Sequence, residues 1–218
     1  MTVRAIGEVT LNAMGQTSIV GVGRTPMNFE GIHFTGGQGT TGAGIYGEAF
    51  MRFKNCIFTE NESTVDGAAV MVMRTAEFEG CQFYDNKAKY AGAVRISDIG
   101  SASFKGCIFS RNRAAAKGGA IVTQIENKNK NKVTIEDTLF CFNDSPEGKH
   151  IFNFRDATHE CTGCQFNTKA CCNDHGRVVA DKSVEEGSEA PTQVCLCDAG
   201  WSGPTCTDGA AIEGKEEL

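Results

Sequence analysis

The chain has 218 residues, 40% of them hydrophobic and 22% charged, and its 21 Lys and Arg against 27 Asp and Glu leave a formal charge of −6. Those proportions exclude disorder of the whole. An acidic balance with no basic stripe excludes nucleic acid as a partner, because phosphate binding needs clustered Lys and Arg, and no run of 18 apolar residues is present to form a transmembrane segment.

Residues 1–28 read as an N-terminal coil or cap. Their opening, Met1-Thr-Val-Arg-Ala-Ile-Gly-Glu8, lacks the apolar core of a signal peptide. Eleven cysteines, crowded toward the C-terminus, suit an oxidising compartment. Together these two features predict a fragment of a longer protein of the secretory pathway, extracellular or at a cell surface.

Residues 29–170 carry an internal repeat. Phe53-Lys-Asn-Cys56-Ile-Phe58-Thr-Glu-Asn61 aligns with Phe78-Glu-Gly-Cys81-Gln-Phe83-Tyr-Asp-Asn86 and with Phe104-Lys-Gly-Cys107-Ile-Phe109-Ser-Arg-Asn112. It aligns also with Ile135-Glu-Asp-Thr138-Leu-Phe140-Cys-Phe-Asn143, and weaker copies flank the set at 29–34 and 161–166. The second phenylalanine recurs at 34, 58, 83, 109, 140 and 166, a beat of about 25 residues. An offset motif keeps that beat: Gly42-Ala-Gly-Ile45, Gly67-Ala-Ala-Val70, Ala91-Gly-Ala-Val94 and Gly118-Gly-Ala-Ile121. Ten of the 14 phenylalanines fall in two columns of this alignment, too many for chance.

Leucine-rich repeats share the period but need leucine, of which the chain has four. Helical repeats need a 3.6-residue apolar rhythm, which is absent. Each unit instead holds short alternating runs, such as Ala69–Met73, Ala76–Phe78 and Cys81–Phe83. A single turn residue, Asn55, Gly80, Gly106 or Asp137, separates the last two. Three strands per turn, stacked in register, predict an all-β fold: a parallel β-helix, a three-sheet solenoid with a filled interior.

Alternation then assigns the columns. Phe53, Phe78, Phe104 and Ile135 stack inward, as do Phe58, Phe83, Phe109 and Phe140, each ring contributing on the order of 1.5–3 kcal/mol by burial. Cys56, Cys81 and Cys107, continued by Thr138 and Cys164, form a column of small fillers and are the expected free thiols, since in-register side chains point the same way. Asn61, Asn86, Asn112 and Asn143 form an amide ladder. The glycosylation patterns at Asn61 and Asn143 are therefore expected to be unmodified. Outside, Glu30, Lys54, Glu79, Lys105 and Glu136 alternate in sign at every coil, which stabilises the register and penalises a slip.

The paired F-x-x-N and G-G-A-[ILV] repeats resemble the polymorphic outer-membrane protein repeat family of chlamydiae, and the fold is similar to the pectin-lyase-like superfold. The F-x-x-N half is present unchanged at 58–61, 83–86, 109–112 and 140–143, the other half at 118–121. The resemblance implies a right-handed β-helix used for cell-surface adhesion or display, with a glycan or protein ligand, no cofactor and no catalytic residue to carry over. Pectin-lyase-like members that are polysaccharide lyases or hydrolases supply the alternative, an enzyme acting on acidic polysaccharide. Glu60 and Asp85, stacked in the F-x-x-N turn and followed by Arg111, are the weak candidates for calcium there. Arg95 and Asp98, on the glycine-motif strand, read as exposed surface.

The lengthened coil at 126–132, Glu-Asn-Lys-Asn-Lys-Asn-Lys, reads as a solvated loop. Residues 171–208 read as a cysteine-rich segment and 209–218 as an acidic tail, ending Lys215-Glu-Glu-Leu218 like a retrieval signal. The spacing Cys195-x-Cys197-x-x-Gly200-Trp201-x-Gly203-x-x-Cys206 resembles the C-terminal half of an EGF-like module. That resemblance implies a Cys197–Cys206 disulfide, with Cys161, Cys164, Cys171 and Cys172 as candidates for the remaining half-cystines. A zinc site from Cys161, Cys164 and His175 or Cys171 is the rival to disulfides, and disulfides are favoured.

Overall fold

The computed structural model describes residues 1–124, 132–153 and 159–166, with the backbones of four further strands, Gly176–Ala180, Gln193–Cys197, Trp201–Ser202 and Asp208–Gly209. Two compact units divide the chain, Met1–Gln165 and Phe166–Leu218. In the second, Gly176–Ala180 pairs antiparallel with Gln193–Cys197, and Trp201–Ser202 with Asp208–Gly209.

The first unit is an all-β parallel solenoid of three sheets. A six-stranded sheet stacks the glycine motifs, Val20–Val22, Ile45–Gly47, Val70–Val72, Val94–Ile96, Ile121–Thr123 and Ile151–Asn153, one strand per turn. A twelve-stranded sheet holds both phenylalanine columns. One ladder runs through Phe50–Lys54, Thr75–Glu79, Ser101–Lys105, Val133–Glu136 and His159–Thr162; the other runs through Ile57–Thr59, Gln82–Tyr84, Ile108–Ser110 and Leu139–Cys141 to Gln165–Phe166. The long strand Met27–Thr35 joins them by pairing Phe29 with Phe53 and Phe34 with Phe58. Thr2–Asn12 lies parallel against Met27–Thr35 and forms the outermost turn.

The three central coils therefore contribute four strands each and not three. The additional ladder is Gln38–Thr41, Glu62–Asp66, Lys87–Tyr90 and Arg113–Lys117. Its inward residues, Ser63, Ala88 and Ala114, are small, and polar residues surround them, so it has no apolar alternation to reveal it.

Corners are made by left-handed residues. Asn55, Gly80, Gly106 and Asp137 turn between the two phenylalanine ladders, with φ from 47° to 60°. Glu60, Asp85, Arg111 and Phe142 turn at the next corner, each at φ 54°. In the glycine motif the first residue is left-handed, and the second abuts the following coil: a Cβ on Gly92 would lie 2.1 Å from the Gly119 carbonyl oxygen.

The interior is apolar and largely aromatic. Rings of successive coils stack at centroid distances of 4.4–5.3 Å, from Phe29 to Phe104 in one column and from Phe34 to Phe140 in the other. Within a coil the two columns meet edge to face at 5.5–5.6 Å. The eight phenylalanines from Phe29 to Phe109 in the two columns thus each have both favoured ring geometries, worth about 0.5–1.5 kcal/mol per pair beyond burial.

Candidate functional site

The buried asparagines inside the solenoid hydrogen-bond with one another and with the backbone. Asn86 Nδ2 donates to Phe58 O at 3.0 Å and to Asn112 Oδ1 at 2.9 Å, while Asn86 Oδ1 accepts from the backbone and side-chain nitrogens of Asn61 at 3.2 and 3.0 Å. Asn61 and Asn112 repeat the pattern, and the ladder closes on Asn143, whose Nδ2 donates to Phe109 O at 2.8 Å. All four are buried. The thiols of Cys56, Cys81 and Cys107 are free and buried, and those of Cys81 and Cys107 donate to the carbonyls of Phe53 and Phe78 at 3.5 Å. Burial pushes the Cys81 thiol far above its ordinary range, so it is not a nucleophile.

Outward charges pair across coils. Lys54 meets Glu79 at 3.4 Å, Lys105 meets Glu136 at 3.7 Å, Arg4 meets Glu30 at 2.6 Å and Arg52 meets Glu77 at 2.7 Å. At the F-x-x-N corner Arg111 donates from Nε and Nη2 to the two oxygens of Asp85, both at 2.8 Å. That fork occupies the Asp85 carboxylate. Glu60 stands one coil away in the same left-handed turn, with its backbone N–H donating to Tyr84 O at 3.2 Å. Among the described residues no three His, Cys, Asp or Glu side chains gather as metal ligands.

Arg95 departs from the exposed position expected of it: it is 7% exposed. It points outward from the glycine-motif strand, but its Cβ lies over Gly67 of the preceding coil, whose missing side chain leaves the room. There Arg95 Nε faces Asp66 Oδ1 at 3.5 Å and Nη2 donates to Gln124 Oε1. Burial raises the Asp66 carboxyl above its usual range, and Arg95 opposes that shift. Asp98 is half-buried and accepts the Ile99 backbone N–H at 3.0 Å.

A recess opens where the glycine-motif strands give way to the next ladder. The connection is four residues long at 23–26, two at 48–49, two at 73–74 and four again at 97–100. Two long loops therefore flank two short ones, leaving a cavity of about 450 Å³ lined by Arg24, Glu48, Met73, Arg74 and Ile99. Arg24 lies in the four-residue loop two coils before Arg74, which directly precedes the strand Thr75–Glu79, and both line the recess. Ala49, in the coil between them, is buried. No motif announces these residues; only the unequal loop lengths between repeats mark the place.

Cysteines at the C-terminal side differ from the expectation in part. Cys161 and Cys164 form a disulfide with each other. Cys164, the last of the small-filler column, is therefore a half-cystine bonded to Cys161, so neither residue pairs with the cysteines of the EGF-like spacing and neither thiolate is available for zinc. Both side chains still pack against the core. Cys141, which the repeat alignment did not single out, is also disulfide-bonded. The side chains of Cys171, Cys172, Cys195, Cys197, Cys206 and His175, the loop 126–131 and the tail from 210 lie outside the described residues.

A family model described as right handed beta helix region matches residues 4–172. No curated protein and no solved structure matches the chain.

Proposed function

We propose that this chain, which belongs to the right-handed β-helix family, is a non-catalytic recognition module of an extracellular or cell-surface protein, a stiff rod that holds loops and a recess at fixed spacing. The observation that carries this reading is the disposition of charge: acids and bases pair across coils along the outer columns, whereas the recess collects three charged side chains at one concavity. The disulfide Cys161–Cys164 and the bonded Cys141 support an oxidising, secretory location. The F-x-x-N repeats and the EGF-like spacing at 195–206 support adhesion, both being resemblances to surface modules.

A second reading, cleavage of an acidic polysaccharide, is favoured by one feature. Burial raises the Asp66 carboxyl above its usual range beside Arg95, and a carboxyl paired with a guanidinium supplies groups that such chemistry uses. A glycan array run alongside a reducing-sugar assay on polyuronates with calcium separates the two. Binding without turnover is expected. Turnover of any polyuronate, lost in Asp66→Asn, overturns the non-catalytic reading.

A further inference from the structure

We propose that the recess between the loops 23–26 and 97–100 binds a short acidic oligosaccharide, whose carboxylate or sulfate groups are held by Arg24 and Arg74. The inference rests on the recognition reading above and adds the class of ligand and the residues that select it.

Unpaired charge is the starting point. Arg4, Arg52, Arg95 and Arg111 each have an acidic partner within 4 Å. Arg24 and Arg74 have none among the described residues, and neither does Glu48, although all three line one cavity. Along the column Lys54, Glu79, Lys105 and Glu136 opposite charges meet across coils, whereas the two guanidiniums at this cavity meet no acid within 4 Å among the described residues. A guanidinium is a planar fork of donors that suits carboxylate and sulfate oxygens, and two of them lining one cavity suit a ligand with more than one acidic group.

The rest of the lining suits a sugar. Met73 and Ile99, the latter 49% exposed, offer apolar surface for the hydrophobic face of a pyranose ring. Glu48, in the coil between the two arginines, can accept hydrogen bonds from ring hydroxyls and repels an acidic group placed over it. The flanking loops sit three coils apart, so the floor is roughly 14 Å long, enough for a short oligomer lying along the solenoid axis. Glu48, Met73 and Arg74 are held at fixed spacing, because each adjoins a strand hydrogen-bonded to its neighbours in the sheet.

Calorimetric titration of the full chain with a galacturonic acid trimer, a sulfated disaccharide and a neutral xylose trimer tests this. Binding of either acidic probe is expected, weakening as salt rises, with no binding of the neutral one; the stronger acidic probe identifies carboxylate or sulfate as the group held. Arg24→Ala and Arg74→Ala should each weaken binding about tenfold and together about a hundredfold, while Arg52→Ala, outside the recess, should leave it unchanged. Failure of both acidic probes at millimolar concentration overturns the proposal, as does binding that survives the double substitution or an oligoglutamate peptide that binds where both saccharides do not. A ligand found on the array whose binding ignores both arginines would sink the recess and leave the recognition module standing. Arginine-dependent binding followed by turnover would do the reverse.

Discussion

Asn86 and Asn112, one coil apart and both fully buried, share a side-chain hydrogen bond of 2.9 Å from Nδ2 to Oδ1. The bond is one link of a chain in which every donor and acceptor of Asn86 is used. Replacing Asn86 by Ala strips four partners at once: Phe58 O, Asn112 Oδ1, and the backbone and side-chain nitrogens of Asn61. Each loses its hydrogen bond where water does not reach. A buried polar group left unmatched costs about 1–3 kcal/mol, and the losses overlap, so Asn86→Ala should destabilise by roughly 3–5 kcal/mol. Urea unfolding measures it, and a loss under 1 kcal/mol would show that the ladder is not holding the coils. Asn143→Ala, at the end of the ladder, should cost less.

The alternating column Glu30, Lys54, Glu79, Lys105 and Glu136 makes a different kind of prediction, because its pairs are exposed. Each pair contributes only about 0.2–1 kcal/mol. Reversing both lysines, Lys54→Glu with Lys105→Glu, turns every neighbour in the column into a like charge. The expected loss is about 1–3 kcal/mol, read as a lower melting temperature that recovers as salt is added. A melting temperature unaffected by the double reversal would mean that the column plays no part in register.

How much of this was legible in the sequence depends on side-chain size. Phenylalanine and asparagine recurring every 25 residues or so identify a solenoid and its inward columns, because only stacked coils need the same residue at the same place. The ladder containing Ser63, Ala88 and Ala114 was hidden, since small inward residues flanked by polar ones have no periodicity to detect. Arg95 was misread because alternation places a side chain outward without saying what lies over it, and Gly67 next door makes the pocket that buries it. The recess containing Arg24 and Arg74 arises from differences between repeats, which alignment of their similarities suppresses.

Ala91 breaks the glycine motif at its first position. Gly42, Gly67, Gly118 and Gly148 occupy the equivalent left-handed corner, and Ala91 sits there at φ 55°. A Cβ in that region costs roughly 1–2 kcal/mol, part of which glycine gives back through greater freedom in the unfolded chain. Ala91→Gly should therefore stabilise by about 0.5–1 kcal/mol. The same substitution at Ala93, two residues on and within ordinary backbone, should destabilise. Parallel thermal melts of the two variants check the sign of each, and stabilisation by both would remove the corner as the cause.

His150 links the asparagine ladder to pH. Burial, with a smaller contribution from the Lys149 charge, lowers its imidazole to about 4. Its Nδ1 lies 3.3 Å from Asn143 Nδ2, an arrangement that suits the neutral ring as acceptor. Unfolded, the same ring takes up a proton near its usual 6.5. Above that value both states are neutral and His150 contributes no pH dependence. As pH falls from 6.5 toward 4 the unfolded chain binds a proton that the folded chain refuses, so stability declines across that window and levels off below it, by no more than about 3 kcal/mol. His33, also lowered by burial, acts in the same direction, whereas the raised Asp66 opposes both at lower pH. His150→Gln keeps a polar side chain but does not titrate. Unfolding midpoints at pH 7.5 and 4.5 should separate more for the unsubstituted chain than for the glutamine variant, and equal separations would show that His150 is charged or solvated in the folded protein.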